Sequence, residues 1–414
     1  MGTPSTTISN GTVSTGWSAH PNALTAGEAA GQMCVQRMRG HRPRCAVVLA
    51  SSWFDQAKLL EGLRRALPDV ALVGGSTAGE ILPEGPTSHH CVVLAIGDEE
   101  LAVSTGLGEA ADRDPRLAGH EAALQALRGF GGKTRSGFLL FGDGLLTGYT
   151  EVIRGIHEVL GTHSLVTGAL TADDLRFTQT YQYHNDHAVS RSVVGLLVGG
   201  SCTMGVGLEH GFAPISRMLH ATSARGNLLR ELDGAPAAQV YDEYLGPDLI
   251  KTARQEGLPA SRDAAQAGLA RQLLAYPLGV KLESSEAFLL RNVRRIEPDG
   301  GLLCTGEIPE GSTVRLMIGY KEPALEAASR AAQQALRPLS KVQFVLVFDS
   351  VSRRKLLGVD AAQDIHRIRK IVGLSTPLVG CYTYGEHAPL QGSVPHGPSA
   401  VQTGAVLVVA VGSS

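Results

Sequence analysis

The sequence predicts a mixed α/β fold in two domains, assembled from repeated strand–helix–strand–strand units whose mixed sheets are flanked by helices. The phrase LVGGSTAGE at Leu72–Glu80 returns as LVGCYTYGE at Leu378–Glu386, identical at six of nine positions. Each copy follows an apolar run and a helix-like segment, CAVVLASS with KLLEGLRRAL and VQFVLVFDS with DIHRIRKIVG, and each precedes a second apolar run. A degraded copy lies between them: GFLLFGDG, EVIRGIHEVLG, LVTGALTADD (Leu165–Asp174) and SVVGLLVGG. Self-similarity on this scale marks one supersecondary unit used repeatedly. Its glycines and acids fall at strand ends, where α/β ligand sites form.

In chain order, residues 1–20 begin with polar Ser, Thr and Gly and read as a disordered leader with no signal-peptide pattern. Leu24 to Met38 carries apolar residues at helical spacing. The first unit runs from Cys45 to about Gly108, its closing strands CVVLAIGD and LAVSTGLG joined by the acidic turn Asp98–Glu100. An Ala/Leu helix at 116–128 leads into the second unit, which closes with SVVGLLVGG and CTMGVGLEHG. Together these form a first domain over residues 21–226. A connecting, largely helical segment follows at 227–272, where NLLRELDG reads as strand and turn. Pro236 then opens a helix with Val240, Tyr241, Tyr244 and Leu245 on one face. The second domain, residues 273–414, starts with an antiparallel meander turning at Pro298–Gly301 and Pro309–Gly311. A helix from Pro323 to Leu336 stops before Pro338, and the last copy of the unit closes the chain.

Composition narrows the function. A net charge of −2 excludes broad electrostatic binding to nucleic acid or to an anionic membrane. Fifty glycines with only 5% aromatic residues point to close backbone approaches in place of large aromatic anchors. Six cysteines stand singly, without a CxxC pair, as expected of free thiols in a reducing compartment. No apolar run reaches 18 residues, so a cytoplasmic protein is expected.

The run GFGGKT at Gly129–Thr134 is not a phosphate loop, because Leu127 stands where the Walker pattern needs Gly and a helix precedes it. The strand ends offer a better candidate site. Gly74, Gly75 and Gly380 would let a ligand approach the backbone, beside Ser76 and Thr77. Glu80, Asp173 or Asp174, and Glu386 would orient polar groups, or else satisfy their own turns. Tyr382 and Tyr384 alternate around Thr383 and so wall the same side. Arg353, Arg354 and Lys355 follow a strand, where a cation holds an anion or stands exposed. His184 and His187 lie in a turn, YHNDH, and make no zinc pattern. There is no G-x-S-x-G elbow, so no catalytic residue is assigned and an enzyme is not expected.

Four segments, GGSTAGEI (Gly74–Ile81), GNLLRELDGAPAAQVYDEYLG (Gly226–Gly246), Phe288–Gly319 and PLVGCYTYGEHAP (Pro377–Pro389), occur in an order that resembles FIST-domain proteins across residues 40 to 411. The resemblance implies an intracellular sensory or ligand-binding module. Members occur fused to signalling domains, as F-box proteins, or as stand-alone bacterial proteins, and amino acids have been proposed as ligands. Some bacterial members resemble haem-binding nitric oxide sensors that regulate histidine kinases. Haem is therefore a candidate cofactor, with His210 and His387 as candidate iron ligands, and a histidine kinase is a candidate partner. The absence of a CxxCH motif excludes covalent attachment. The chain carries no kinase, cyclase or chemotaxis segment and its leader is too short for an F-box, so output is expected through a separate partner. The alternatives are an interaction scaffold without a small ligand and an enzyme using the same acidic cleft for general acid–base work.

Overall fold

Cys45–Ser51, Cys91–Ile96 and Leu378–Thr383 are buried along their whole length, which is why they read as unbroken apolar runs. In this computed structural model, which describes residues 11–246, 268–282, 287–389 and 399–414, each such strand is covered on both faces. On one face Val47, Leu49, Leu139, Phe141, Leu346 and Phe348 from three different sheets meet in a single central core. On the other, Ala46 and Val48 pack on Ala26, Ala30 and Leu59, Leu140 on Ala122 and Ile156, and Val345 and Val347 on Ala328 and Ile365. Burying each larger side chain of this kind contributes about 1.5–3 kcal/mol.

Three units of one design surround that core. Each begins with a strand and a helix: Val13–Ser18 with Ala23–Arg37, Leu101–Gly108 with Pro115–Gly129, and Thr203–His210 with Lys321–Leu336. Each continues into a parallel strand pair: Cys45–Ser51 with Ala71–Thr77, Arg135–Asp143 with Val166–Thr171, and Lys341–Ser350 with Leu378–Thr383. An intervening helical segment makes each crossover, and a small hairpin and a closing antiparallel strand complete the unit. Asn22, Asp55 and Asp114 cap three of the helices by accepting from the N–H of Thr25, Lys58 and Leu117.

The glycine content follows from how closely these layers approach. A Cβ on Gly16, Gly106 or Gly207 would lie 2.2, 1.9 or 1.9 Å from the carbonyl oxygen of Ala30, Ala122 or Ala331 on the covering helix. The three positions are equivalent in the three units. Small residues on both elements let helix and sheet touch through their backbones.

The hairpins are exchanged in a ring. Gln182–His184 of the second unit pairs with Ala71–Thr77 of the first, and Gly385–Pro389 of the third pairs with Val166–Thr171 of the second. Glu80–Leu82 of the first pairs with Leu378–Thr383 of the third, closing the cycle. Three six-stranded mixed sheets result, each completed by a neighbouring unit.

Residues 212–319 interrupt the third unit between its first strand and first helix. They form a nine-stranded antiparallel sheet with its own core around Leu219, Leu229, Tyr241, Leu273, Leu302 and Leu316. The expected meander, Phe288 to Gly319, lies in this insert.

Three sequence expectations change here. Val13–Ser18, read as leader, is a strand paired with Cys91–Ile96; its buried Ser14 donates to the Cys34 carbonyl at 2.9 Å, so its polarity is absorbed internally. Residues 1–10 of that leader lie outside the described residues. Leu101–Gly108 and Thr203–His210, read as closing the first and second units, pair throughout with Val193–Gly200 and Ala405–Ser413 and open the second and third. Within the 227–272 connector, Leu228–Leu232 and Ala235–Pro236 are strands of the inserted sheet, and only Gln239–Leu245 and residues 268–273 are helical among its described residues.

Candidate functional site

The three repeat tips converge. Gly74, Gly168 and Gly380 occupy the same register, and a Cβ on each would lie 1.8–2.0 Å from the carbonyl oxygen of Val48, Leu140 or Val347 on the parallel neighbour. Three residues later Thr77, Thr171 and Thr383 end the strands. The next N–H groups close a second ring: Ala78 donates to Tyr382, Ala172 to Ser76 and Tyr384 to Leu170, at 2.9, 2.9 and 3.1 Å.

The expectation that Glu80 and Glu386 face a shared ligand pocket is corrected. Both are fully buried and both serve their own hairpin. Glu80 accepts from Thr77 Oγ1 at 2.5 Å and from the His90 N–H at 2.9 Å; Glu386 accepts from Thr383 Oγ1 at 2.6 Å and from the Ala405 N–H at 3.3 Å. The second unit places Gln182 at this position, where its amide donates to Thr171 Oγ1 at 2.8 Å and accepts from the Ser192 N–H at 3.2 Å. The amide spans the same two partners, with the direction of the bond to the threonine reversed. Burial pushes Glu80 up to about 8 and Glu386 well above the usual carboxylate range.

The other predicted residues around them are also structural. Ser76 bridges the Ala172 carbonyl and the Tyr181 N–H. A Cβ on Gly75 would lie 2.3 Å from Thr171 Cγ2. Tyr382 is buried beneath the Arg354 guanidinium, 4.8 Å from its ring. Arg353 is fully buried between Asp349 and Asp364, and Lys355 donates to the Arg271 carbonyl, so the basic triplet braces the third unit.

Tyr384 reaches a cavity. It lines a space of about 720 Å³ between the carboxyl end of Arg135–Asp143, the 174–179 loop and the inserted sheet. Leu145, Leu274, Val293, Leu303 and Val351 give it apolar walls. The Tyr384 ring stacks on Phe177 with centroids 4.9 Å apart. Asp173 lies buried behind this pair and accepts the N–H groups of Phe177, Thr178 and Gln179 at 2.9, 2.6 and 2.9 Å, together with the Tyr384 hydroxyl. These bonds hold a loop in which Asp174, Leu175 and Phe177 have φ of +54°, +59° and +56°. Such backbone costs on the order of 1 kcal/mol or more per residue and persists only where the surroundings fix it.

The charge lining this cavity is cationic. Arg176, Arg271, Arg294 and Arg295 border it, and no Asp or Glu does among the described residues. Arg295 is paired with Glu297 at 2.6 Å, Arg271 holds the Leu175 carbonyl at 2.6 Å and Arg176 holds Ser52 Oγ at 2.7 Å. Arg294 is different. It donates to the Leu145 carbonyl at 2.7 Å and has no carboxylate partner among the described residues. Burial draws its pKa below the ordinary arginine value, with Asp143 pulling the other way. Beside it, Asn292 is 3% exposed; its amide nitrogen donates to Ser352 Oγ at 3.0 Å, and its Oδ1 has no partner. Sequence reasoning read RNVRR as meander only. The cluster of polar and cationic residues was the available signal, and Asn292, Arg294 and Arg295 all line the cavity.

A second cavity of about 850 Å³ lies at the amino ends of Arg135–Asp143 and Val166–Thr171, where Gly132, Lys133 and Thr134 of GFGGKT sit. None of its lining residues carries an unpartnered buried polar atom. Ligands of α/β sheets gather at the opposite, carboxyl ends.

The candidate iron ligands lie apart from these two cavities. His210 accepts the Phe212 N–H and burial pulls its pKa down to about 4; His387 is fully buried, pulled down to about 3. Neither lines either cavity. The buried cysteines are free thiols, with Cys34, Cys45 and Cys304 pushed up to about 12 by burial. No helix among the described residues is long and apolar enough to cross a membrane.

Comparison with known proteins places the chain. The FIST N domain matches residues 45–235 and the FIST C domain matches residues 237–389, so the chain belongs to the FIST family. Domains of this family are generally taken as small-ligand sensory domains. The two matches meet inside the inserted sheet, and the exchanged hairpins tie them together across that division. An uncharacterised protein of Methanocaldococcus jannaschii is 25% identical over 295 residues, 66% of this chain. The chain spans about half (53%) of the length of that curated relative. Two solved structures of cyanuric acid hydrolase, one from A. caulinodans, align over 97% of this chain and 99% of theirs, at 11% identity and TM-scores of 0.35 and 0.36.

Proposed function

We propose that this protein is a sensor whose ligand is a small organic anion bound in the arginine-lined cavity. The observation that carries the reading is Arg294, a half-buried guanidinium without a counter-ion in a space with apolar walls. An uncompensated cation there is costly, and a ligand carboxylate offsets that cost with charge-assisted hydrogen bonds. Arg176, Arg271 and Arg295, all exposed at the rim, would draw an anion inward.

The ligand would touch both Leu145, Phe177 and Tyr384 of the three-unit body and Asn292 and Arg294 of the insert. Binding would then favour one arrangement of body and insert. That change would pass to a separate signalling protein, a histidine kinase being one candidate class. The cavity does not suit haem: none of its described lining residues is His, Cys or Met, and Tyr384 is committed to Asp173. The nearby acids Asp143 and Asp173 are saturated with donors, which favours binding over acid–base catalysis.

Thermal denaturation of the full chain against apolar monocarboxylates and their matched neutral amides tests this. An acid present at 100 times its Kd should stabilise by about 2.7 kcal/mol, and its amide should not. Arg294→Met should remove the response while circular dichroism stays unchanged. If no acid stabilises the protein, or Arg294→Met responds as the parent does, the reading fails.

A further inference from the structure

We infer that the ligand pairs its carboxylate with a neutral hydrogen-bond donor, a hydroxyl or an acylated amine, so that the cavity takes hydroxy acids or N-acyl amino acids and excludes free amino acids. The inference rests on the anion reading above and adds a second anchor to it. Asn292 Oδ1 is an unpartnered acceptor on a side chain 3% exposed, two residues from Arg294 along one edge of the insert. Asn292 sits at the break between the strands Phe288–Arg291 and Val293–Ile296, and it lines the same cavity as Arg294. An unmade hydrogen bond at a buried acceptor is expensive, so a complementary ligand brings a donor to it.

An ammonium is also a donor, and charge decides against it. Four arginines border the cavity and no described lining residue is acidic. The surrounding acids are spoken for: Asp143 by Leu145, Thr180 and Arg191, Asp173 by four donor residues, Asp174 by Ser51 and Ser52, and Glu297 by Arg295. A zwitterion would place its positive end among like charges in a poorly solvated space. A hydroxyl or amide N–H meets Asn292 without that opposition. The stacked Phe177 and Tyr384 rings and the leucine and valine walls would take an aromatic or branched apolar body.

The test is isothermal titration of the full-length protein with matched acids: 2-hydroxyisovalerate and valine, 2-hydroxyisocaproate and leucine, 3-phenyllactate and phenylalanine, each with the N-acetyl amino acid. In at least one series the hydroxy or N-acetyl acid should bind about tenfold or more tightly than the free amino acid, with binding abolished in Arg294→Met. Asn292→Asp, which keeps the shape and adds a negative charge, should narrow that preference by about tenfold. Free amino acids binding as tightly as their hydroxy partners, with the same dependence on Arg294, would overturn the inference and leave the anion site standing. An unchanged preference in a folded Asn292→Asp variant would overturn it too. No binding in any series removes the anion site and the inference together.

Discussion

At the residue scale, Glu80, Gln182 and Glu386 form a natural substitution series at one position in three copies of one unit. Each bridges a threonine hydroxyl and a backbone N–H. Glu80→Gln is therefore expected to leave ligand binding unchanged and to keep the fold. The sign of its pH dependence follows from the raised pKa. Folded Glu80 is held protonated up to about pH 8, whereas the unfolded residue ionises near 4.5. Its contribution is full below about pH 4.5 and is lost as pH rises through 8. Chemical denaturation should find Glu80→Gln close to the parent at pH 5 and more stable than it at pH 8, by on the order of a few kcal/mol. A variant that is weaker at pH 8, or that loses ligand response, would refute this assignment. Arg294→Met belongs to the same scale. Without ligand it removes a desolvated, unpaired charge, so its melting temperature should equal or exceed that of the parent. A large loss would mean the Leu145 contact is structural.

At the element scale, two features carry testable consequences. Gly74 has φ of +146° and a Cβ there would sit 1.8 Å from the Val48 carbonyl oxygen. Gly74→Ala must part the parallel pair or strain the backbone, and should cost about 3 kcal/mol or more by urea denaturation. An Ala variant within 1 kcal/mol of the parent, roughly the range of a tolerated swap, would contradict that close approach. Asp173 organises the cavity wall without lining it. Asp173→Ala removes the acceptor for three backbone N–H groups and the Tyr384 hydroxyl, so the loop can relax from its left-handed backbone. The expected outcome is a loss of about 2–4 kcal/mol in stability and at least tenfold weaker ligand binding, measured on protein that is still folded. Retained affinity would show that the Phe177–Tyr384 wall does not depend on it. The repeated glycine and threonine were visible in the sequence because close approach admits no substitute. The roles of the acids were not, because a buried carboxyl and a ligand-facing one leave the same letter.

At the scale of the whole molecule, the insert replaces what is elsewhere a short link. The first and second units join strand to helix through residues 19–22 and 109–114. Replacing residues 211–320 with a link copied from 109–114 should leave a folded three-unit body, since the central core draws on the three sheets and not on the insert. That protein should show cooperative unfolding and no ligand response, because Arg271, Asn292, Arg294 and Arg295 leave with the insert. A response that survives would place the site elsewhere. A single unit, by contrast, lacks the neighbour's hairpin that completes its sheet and should not fold alone.

The sequence determined the repeated unit, the mixed α/β class, the glycine-dependent close packing and the FIST membership. Those depend on local periodicity and on residues, such as Gly74 and Gly380, whose absent side chain is itself the requirement. Only the tertiary structure decided which unit completes which sheet and which polar groups line the cavity. Exchanged hairpins are pairings between distant segments, and no local pattern near Glu80 names Cys381 as its partner. The cavity likewise joins Tyr384, Phe177 and Arg294 from separate stretches of chain, and what sets the Arg294 guanidinium apart is that no carboxylate among the described residues pairs with it. Charge pairing and burial are properties of surroundings, and those come into being only when the chain has closed on itself.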